Sequence, residues 1–141
     1  MVLKTGCSSS LLGLHEAVRA IHGGDATAAI VAGTNLITTP TLSIIPDAGE
    51  ILSPDGSCKT FDASANGYAR GEAITAVYVK RLDDAIRDGN PVRAIVRGTA
   101  TNCDGRGNSL VTPNGIAQEA LMRKVYENAG LDPRHTPFVE V

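Results

Sequence analysis

Residues 4–33 read KTGCSSSLLGLHEAVRAIHGGDATAAIVAG, and the order of the parts within this stretch decides the fold class. From Ser8 onward the apolar residues Leu11, Leu14, Val18 and Ile21 recur three and four apart, which is the spacing of one helix face. The serines supply the oxygen side chains favoured where a helix begins, and Gly23 and Gly24 supply its stop. The run AAIVAG at 28–33 is continuous, small and branched, a pattern expected of a strand buried on both faces. Residues 2–5 are short and extended in character. The unit is therefore strand, turn carrying Cys7, helix, strand.

Working outward, residues 34–71 are rich in loop signals, with Pro40, Pro46, Pro54 and the pairs Asp55-Gly56 and Asn66-Gly67. One short amphipathic piece is expected over 43–52. A second alternating unit follows: strand 73–79, helix 80–88, a break at Gly89, Asn90 and Pro91, then strand 92–101. A last helix is announced by Pro113, presents Ala117, Leu121 and Val125 on one face, and ends before Gly130 and Pro133. Residues 138–141 begin a further strand. Alternating strands and helices imply an α/β architecture with mostly parallel strands. A chain that stops inside an apolar strand is expected to be a piece of something longer.

The 141 residues, 43% hydrophobic with a formal net charge of -2, have the balance of one soluble globular unit. Thirteen Lys and Arg against fifteen Asp and Glu, without runs, and 4% aromatic content leave no footprint for nucleic acid or an anionic membrane. No apolar run approaches the roughly 18 residues of a membrane span. The opening MVLKTG lacks the basic start and long apolar middle of a secretory signal, so the expected setting is cytoplasmic.

Cys7, Cys58 and Cys103 are widely spaced and odd in number, which suits neither a disulfide framework nor a structural zinc site. Cys7 stands apart because it lies in the turn before a helix. A helix start stabilises a thiolate, and the nucleophile's own N–H can help bind an oxyanion. Gly6 beside it permits an unusual backbone and close approach of a substrate. Spacing leaves two readings of Cys7 open, an acyl-accepting nucleophile and a small packing residue. Cys58 and Cys103 open no helix and are read as packing residues.

A thiol nucleophile commonly needs a base within hydrogen-bond reach. His15 lies eight residues along the helix from Cys7, about 12 Å at the helical rise, and His22 about 22 Å away. Neither partners Cys7 within the same chain. His135 falls in the turn DPRHTP and is expected at the surface. Asp83 and Asp84, beside Lys80, Arg81 and Arg87, read as a solvated charged helix face. The glycine-rich pieces match neither the Walker spacing nor GxGxxG, so no nucleotide site is expected.

Three motifs in order, TGCSSS within 5–35, LSPDGSCKTFDASANGYARGE at 52–72 and VRAIVRGTATNCDGRGNSLVTPNG at 92–115, resemble the β-ketoacyl synthase domain of polyketide and fatty acid synthases. The likeness is to the iterative multidomain polyketide synthases of fungi, and it covers nearly the whole chain. It implies a thiolase-like fold, layered helix, sheet, helix, sheet, helix, of which this chain is an incomplete central portion: the end of the N-terminal half over 1–60 and the start of the C-terminal half over 61–141. It implies that Cys7 is the nucleophile that carries the acyl thioester, with its backbone N–H in the oxyanion hole. The family's two catalytic histidines stand in a His-Gly-Thr-Gly-Thr and a Lys-Ser-Asn-x-Gly-His motif; none of His15, His22 or His135 matches either, and the first motif would follow Val141.

By the same resemblance the reaction is decarboxylative condensation of the Cys7-bound acyl group with a malonyl unit, and the piece by itself is expected to be inactive. No cofactor or metal is implied. Substrates would arrive on the phosphopantetheine arm of an acyl carrier protein, and the partners would be the carrier, acyltransferase and other domains of the same synthase, in a homodimer. Two rival classes are a thiolase-like acyltransferase using coenzyme A and a non-catalytic scaffold of the same fold. The SPDGSCKTFD pattern at 53–62 counts against the first and the retained Cys7 against the second.

Overall fold

The computed structural model describes residues 1–41, 51–107 and 112–140. In chain order its elements are helix α1 (Ser9–Gly23), strand β1 (Ala28–Asn35), strand β2 (Ala73–Lys80), helix α2 (Leu82–Arg87), helix α3 (Gly115–Ala129) and a 3-10 turn (Pro133–His135). The two strands pair with each other in one sheet. Contacts cluster into two compact units, one of residues 1–31 with 78–141 and one of residues 32–77.

α1 ends as its glycines dictate. Gly24 takes φ +83, and its N–H returns to the carbonyls of Ala20 and Ile21, closing the last turn. Ala17 and Ile21 are its buried residues, both on the expected apolar face. The helix lies close on β1 at Gly13, where a Cβ would stand 3.2 Å from Val31 Cγ1; a larger side chain there would push the helix away.

β1 is not buried on both faces as its apolar run implies. Ala29, Val31 and Gly33 are half-buried while Ile30, Ala32 and Thr34 alternate with them on an exposed face. Residues 73–78 of β2 are exposed. The pair also departs from the expected parallel order. The Thr75 hydroxyl donates to the Gly33 carbonyl and the Asn35 amide to the Gly71 carbonyl, so contacts climb one strand as they descend the other. An apolar run encodes burial but not direction, which depends on how the connecting segment returns.

In the first unit α2 is shorter than the expected 80–88; it buries Ala85 and carries ion pairs on its exposed side. Arg87 bridges to Asp84 at 2.5 Å and to Asp88 at 3.0 Å, and Lys80 reaches Asp88 at 2.6 Å. α3 starts one residue after its cap. The Asn114 side chain accepts from the N–H groups of Ile116 and Ala117, and Asp104 in turn holds the Asn114 backbone N–H at 3.2 Å. Segment 92–101, expected as a strand, carries no ladder; it passes α3 at Gly98, where a Cβ would stand 3.2 Å from Ala129 Cβ. Residues 138–140 likewise form no strand.

In the second unit a loop over 51–68 is closed by backbone bonds between Ser53 and Tyr68 (2.9 Å) and between Tyr68 and Ile51 (3.1 Å). Inside it the buried Ser53 hydroxyl donates to Asp55, and Lys59 Nζ binds Asp55 at 2.7 Å and Asn66 Oδ1 at 2.7 Å. The amphipathic piece expected over 43–52 falls mostly on 43–50, outside the described residues. Among the described residues no helix is long and apolar enough to cross a membrane.

Candidate active site

Cys7 stands immediately before Ser8, the residue that opens α1, and is exposed. The turn that presents it is tied by its neighbours. Gly6 adopts φ +68, a left-handed conformation that a residue with a Cβ enters at a cost, and the space beside it is empty to 4 Å. The Thr5 N–H donates to Ser9 Oγ (2.9 Å), and Ser9 Oγ donates to the Gly6 carbonyl (2.7 Å). Ser8 Oγ donates to the Thr5 carbonyl at 2.9 Å, with Thr5 Oγ1 at 3.0 Å.

These serines were expected to cap the helix. The Ser8 side chain makes no cap bond, and both hydroxyls turn back to fasten Thr5 and Gly6 to the first helical turn; residues 2–5, expected as a strand, form none. The result is a short hydrogen-bonded knot with Cys7 at its outer edge. An exposed thiol at a helix start, on a fixed backbone, is a geometry that lets an acyl carbonyl approach the sulfur.

The other predicted residues stay apart from it. His15 is half-buried, and its Nδ1 shares a 2.8 Å hydrogen bond with Thr99 Oγ1. His22 is exposed near the end of α1, and His135 is exposed at the end of the 3-10 turn. Cys58 and Cys103 are exposed, contrary to the packing expected of them. Cys58 instead receives the Ala69 N–H at 3.1 Å and helps close the 51–68 loop. Asp83 and Asp84 keep to their charged helix. Among the described residues no three His, Cys, Asp or Glu side chains gather as metal ligands would.

Family profiles decide the class. The profile described as Beta-ketoacyl synthase, N-terminal domain, matches residues 1–85, and that described as Beta-ketoacyl synthase, C-terminal domain, matches residues 93–141. The chain belongs to the β-ketoacyl synthase family. Relatives of this ketosynthase sequence include the highly reducing polyketide synthase gloL of Glarea lozoyensis, 57% identical over 98% of the chain, and ALT1 of Alternaria alternata, 59% identical over 98%. The chain spans about 6% and 5% of the length of these two proteins, respectively.

Among solved structures, the oxazolomycin ketosynthase domain OzmH KS7 of Streptomyces albus superposes with a TM-score of 0.89 at 41% identity, covering 94% of this chain and 24% of that one. The ketosynthase from module 6 of the bacillaene synthase of Bacillus subtilis superposes equally well, 0.89 at 39% identity, over 93% of this chain and 24% of that one. The fold is thus the thiolase-like one of ketosynthases.

Proposed function

We propose that this chain is the nucleophile-bearing part of a condensing domain in polyketide biosynthesis. The observation that carries the reading is Cys7, exposed at the start of α1 on a knotted turn, in a chain of the ketosynthase family that resembles highly reducing polyketide synthases over nearly all its length. The Cys7 sulfur attacks the carbonyl of an acyl thioester on the phosphopantetheine arm of a carrier protein, and the arm leaves as its thiol. The Cys7 N–H at the helix start faces the oxyanion formed in that step.

A malonyl thioester then loses carbon dioxide, and its carbanion attacks the Cys7 thioester. The new carbon–carbon bond releases the Cys7 thiol and leaves a β-ketoacyl chain two carbons longer on the carrier. The two histidines that stabilise the enolate in the family belong to motifs that His15, His22 and His135 do not match. In this reading the N- and C-terminal halves of the domain meet within the chain. The carrier, acyltransferase and remaining domains are its partners, and two copies pair as a homodimer. Three free, exposed thiols suit a reducing, cytoplasmic setting.

The test is acyl transfer to the complete ketosynthase that contains this chain, using a hexanoyl thioester of a pantetheine analogue and mass spectrometry of the digested protein. The peptide bearing Cys7 gains the hexanoyl mass, and the Cys7→Ala protein gains none. Acylation that survives in Cys7→Ala overturns the reading.

A further inference from the structure

We infer that His15 is a positioning residue: through its hydrogen bond to Thr99 it sets where α1 presents Cys7. The inference rests on the reading of Cys7 as the acyl-accepting nucleophile. Cys7 lies in the turn just before α1, and that turn is tied to Ser9, the first helical residue, so its sulfur moves with any tilt or rotation of the first turns of that helix. The buried anchors of α1, Ala17 and Ile21, both lie in its later half. Its earlier half is held from one side by the close approach of Gly13 to Val31 and from another by His15.

The bond from His15 Nδ1 to Thr99 Oγ1, at 2.8 Å, joins residues 84 apart in sequence. It also joins the part of the chain matched by the N-terminal family profile to the part matched by the C-terminal one. Both residues are half-buried, and neither is among the buried anchors. A cavity of about 290 Å³ opens beside them, lined also by Arg19, Thr101, Lys124 and Asn128. The polar contact therefore carries an orientation that elsewhere in α1 falls to buried side chains. His15 cannot act on the sulfur directly, at about 12 Å along the helix. A displacement of about 1 Å at a reacting group is enough to cost up to about 100-fold in rate.

The experiment measures the maximal rate of Cys7 acylation and the half-saturating concentration of the hexanoyl thioester in the complete ketosynthase. His15→Ala, Thr99→Val and the double variant are compared with Thr99→Ser, which keeps the hydroxyl. Thr99→Val is nearly isosteric and serves where His15→Ala fails to fold. Each removal lowers the maximal rate about 10-fold with half-saturation unchanged, the double variant is no slower than either single one, and Thr99→Ser restores the wild-type rate.

A wild-type rate in Thr99→Val, losses that multiply in the double variant, or a Thr99→Ser protein as slow as Thr99→Val overturns the inference. The control is Cys7→Ala in the same assay. Acylation persisting there defeats the nucleophile reading itself, whereas its abolition together with a wild-type rate in Thr99→Val defeats the role of His15 alone.

Discussion

The turn that presents Cys7, the nucleophile in the proposed reaction, is tied by residues that do not react. Ser9 both receives the Thr5 N–H and donates to Gly6, so Ser9→Ala removes two ties from the turn. Each such bond is worth about 1 kcal/mol at most, and water replaces part of it at this exposed site. The expected outcome is a melting temperature shifted by only a few degrees with a several-fold slower acylation of Cys7, read by mass spectrometry. Asp55 shows the same economy in the second unit. The Lys59 hydrogen bond, followed by that of Ser53, holds its carboxyl down to about 2, below the usual 3.8. Because the folded value is the lower one, the contribution of this cluster is complete above pH 3.8, shrinks as the pH falls, and is gone below about 2. A carboxyl-carbon NMR titration finds its midpoint near 2 in the wild-type protein and nearer the usual value in Lys59→Met; a wild-type midpoint at 3.8 would overturn the assignment.

Among the elements, those with local instructions match the sequence closely and those without do not. α1 and α3 carry their apolar spacing within their own 15 residues and their terminal glycines Gly24 and Gly130 directly after them, and Asn114 caps α3, so they form where expected. Asn114→Ala therefore costs about 1 kcal/mol in a urea melt, through loss of the two capped N–H groups at the start of α3. Gly67→Ala costs more, at least about 2 kcal/mol, because φ is +131 and a Cβ would stand 2.4 Å from the Ser53 backbone nitrogen. The same urea melt tests it, and a cost no larger than that of Asn114→Ala would contradict the crowding. Segment 92–101 has strand-like residues and forms no strand, since a strand is completed by a ladder partner and not by its own composition.

For the whole molecule, much apolar surface is left uncovered. Among the described residues the buried hydrophobic ones are Ala17, Ile21 and Ala85, while Ile30 and Ile74 of the paired strands remain over 70% exposed. Exposed apolar faces of this kind bind other surfaces or dyes. The 141-residue chain alone is accordingly expected to enhance the fluorescence of an apolar probe strongly, and to extend no malonyl unit when mixed with acyl and malonyl carrier proteins. A dark probe or a β-ketoacyl product would contradict this. The sequence by itself determined the two long helices, the strands over 28–35 and 73–80, the turn that carries Cys7 and the resemblance to ketosynthases, because caps, glycines and apolar periods act over a few neighbouring residues. Only the tertiary structure decided that β1 and β2 run antiparallel, that the serines fasten the turn instead of capping the helix, and that His15 meets Thr99. Those depend on residues far apart in the chain being brought within hydrogen-bond distance, and no local pattern encodes such a meeting.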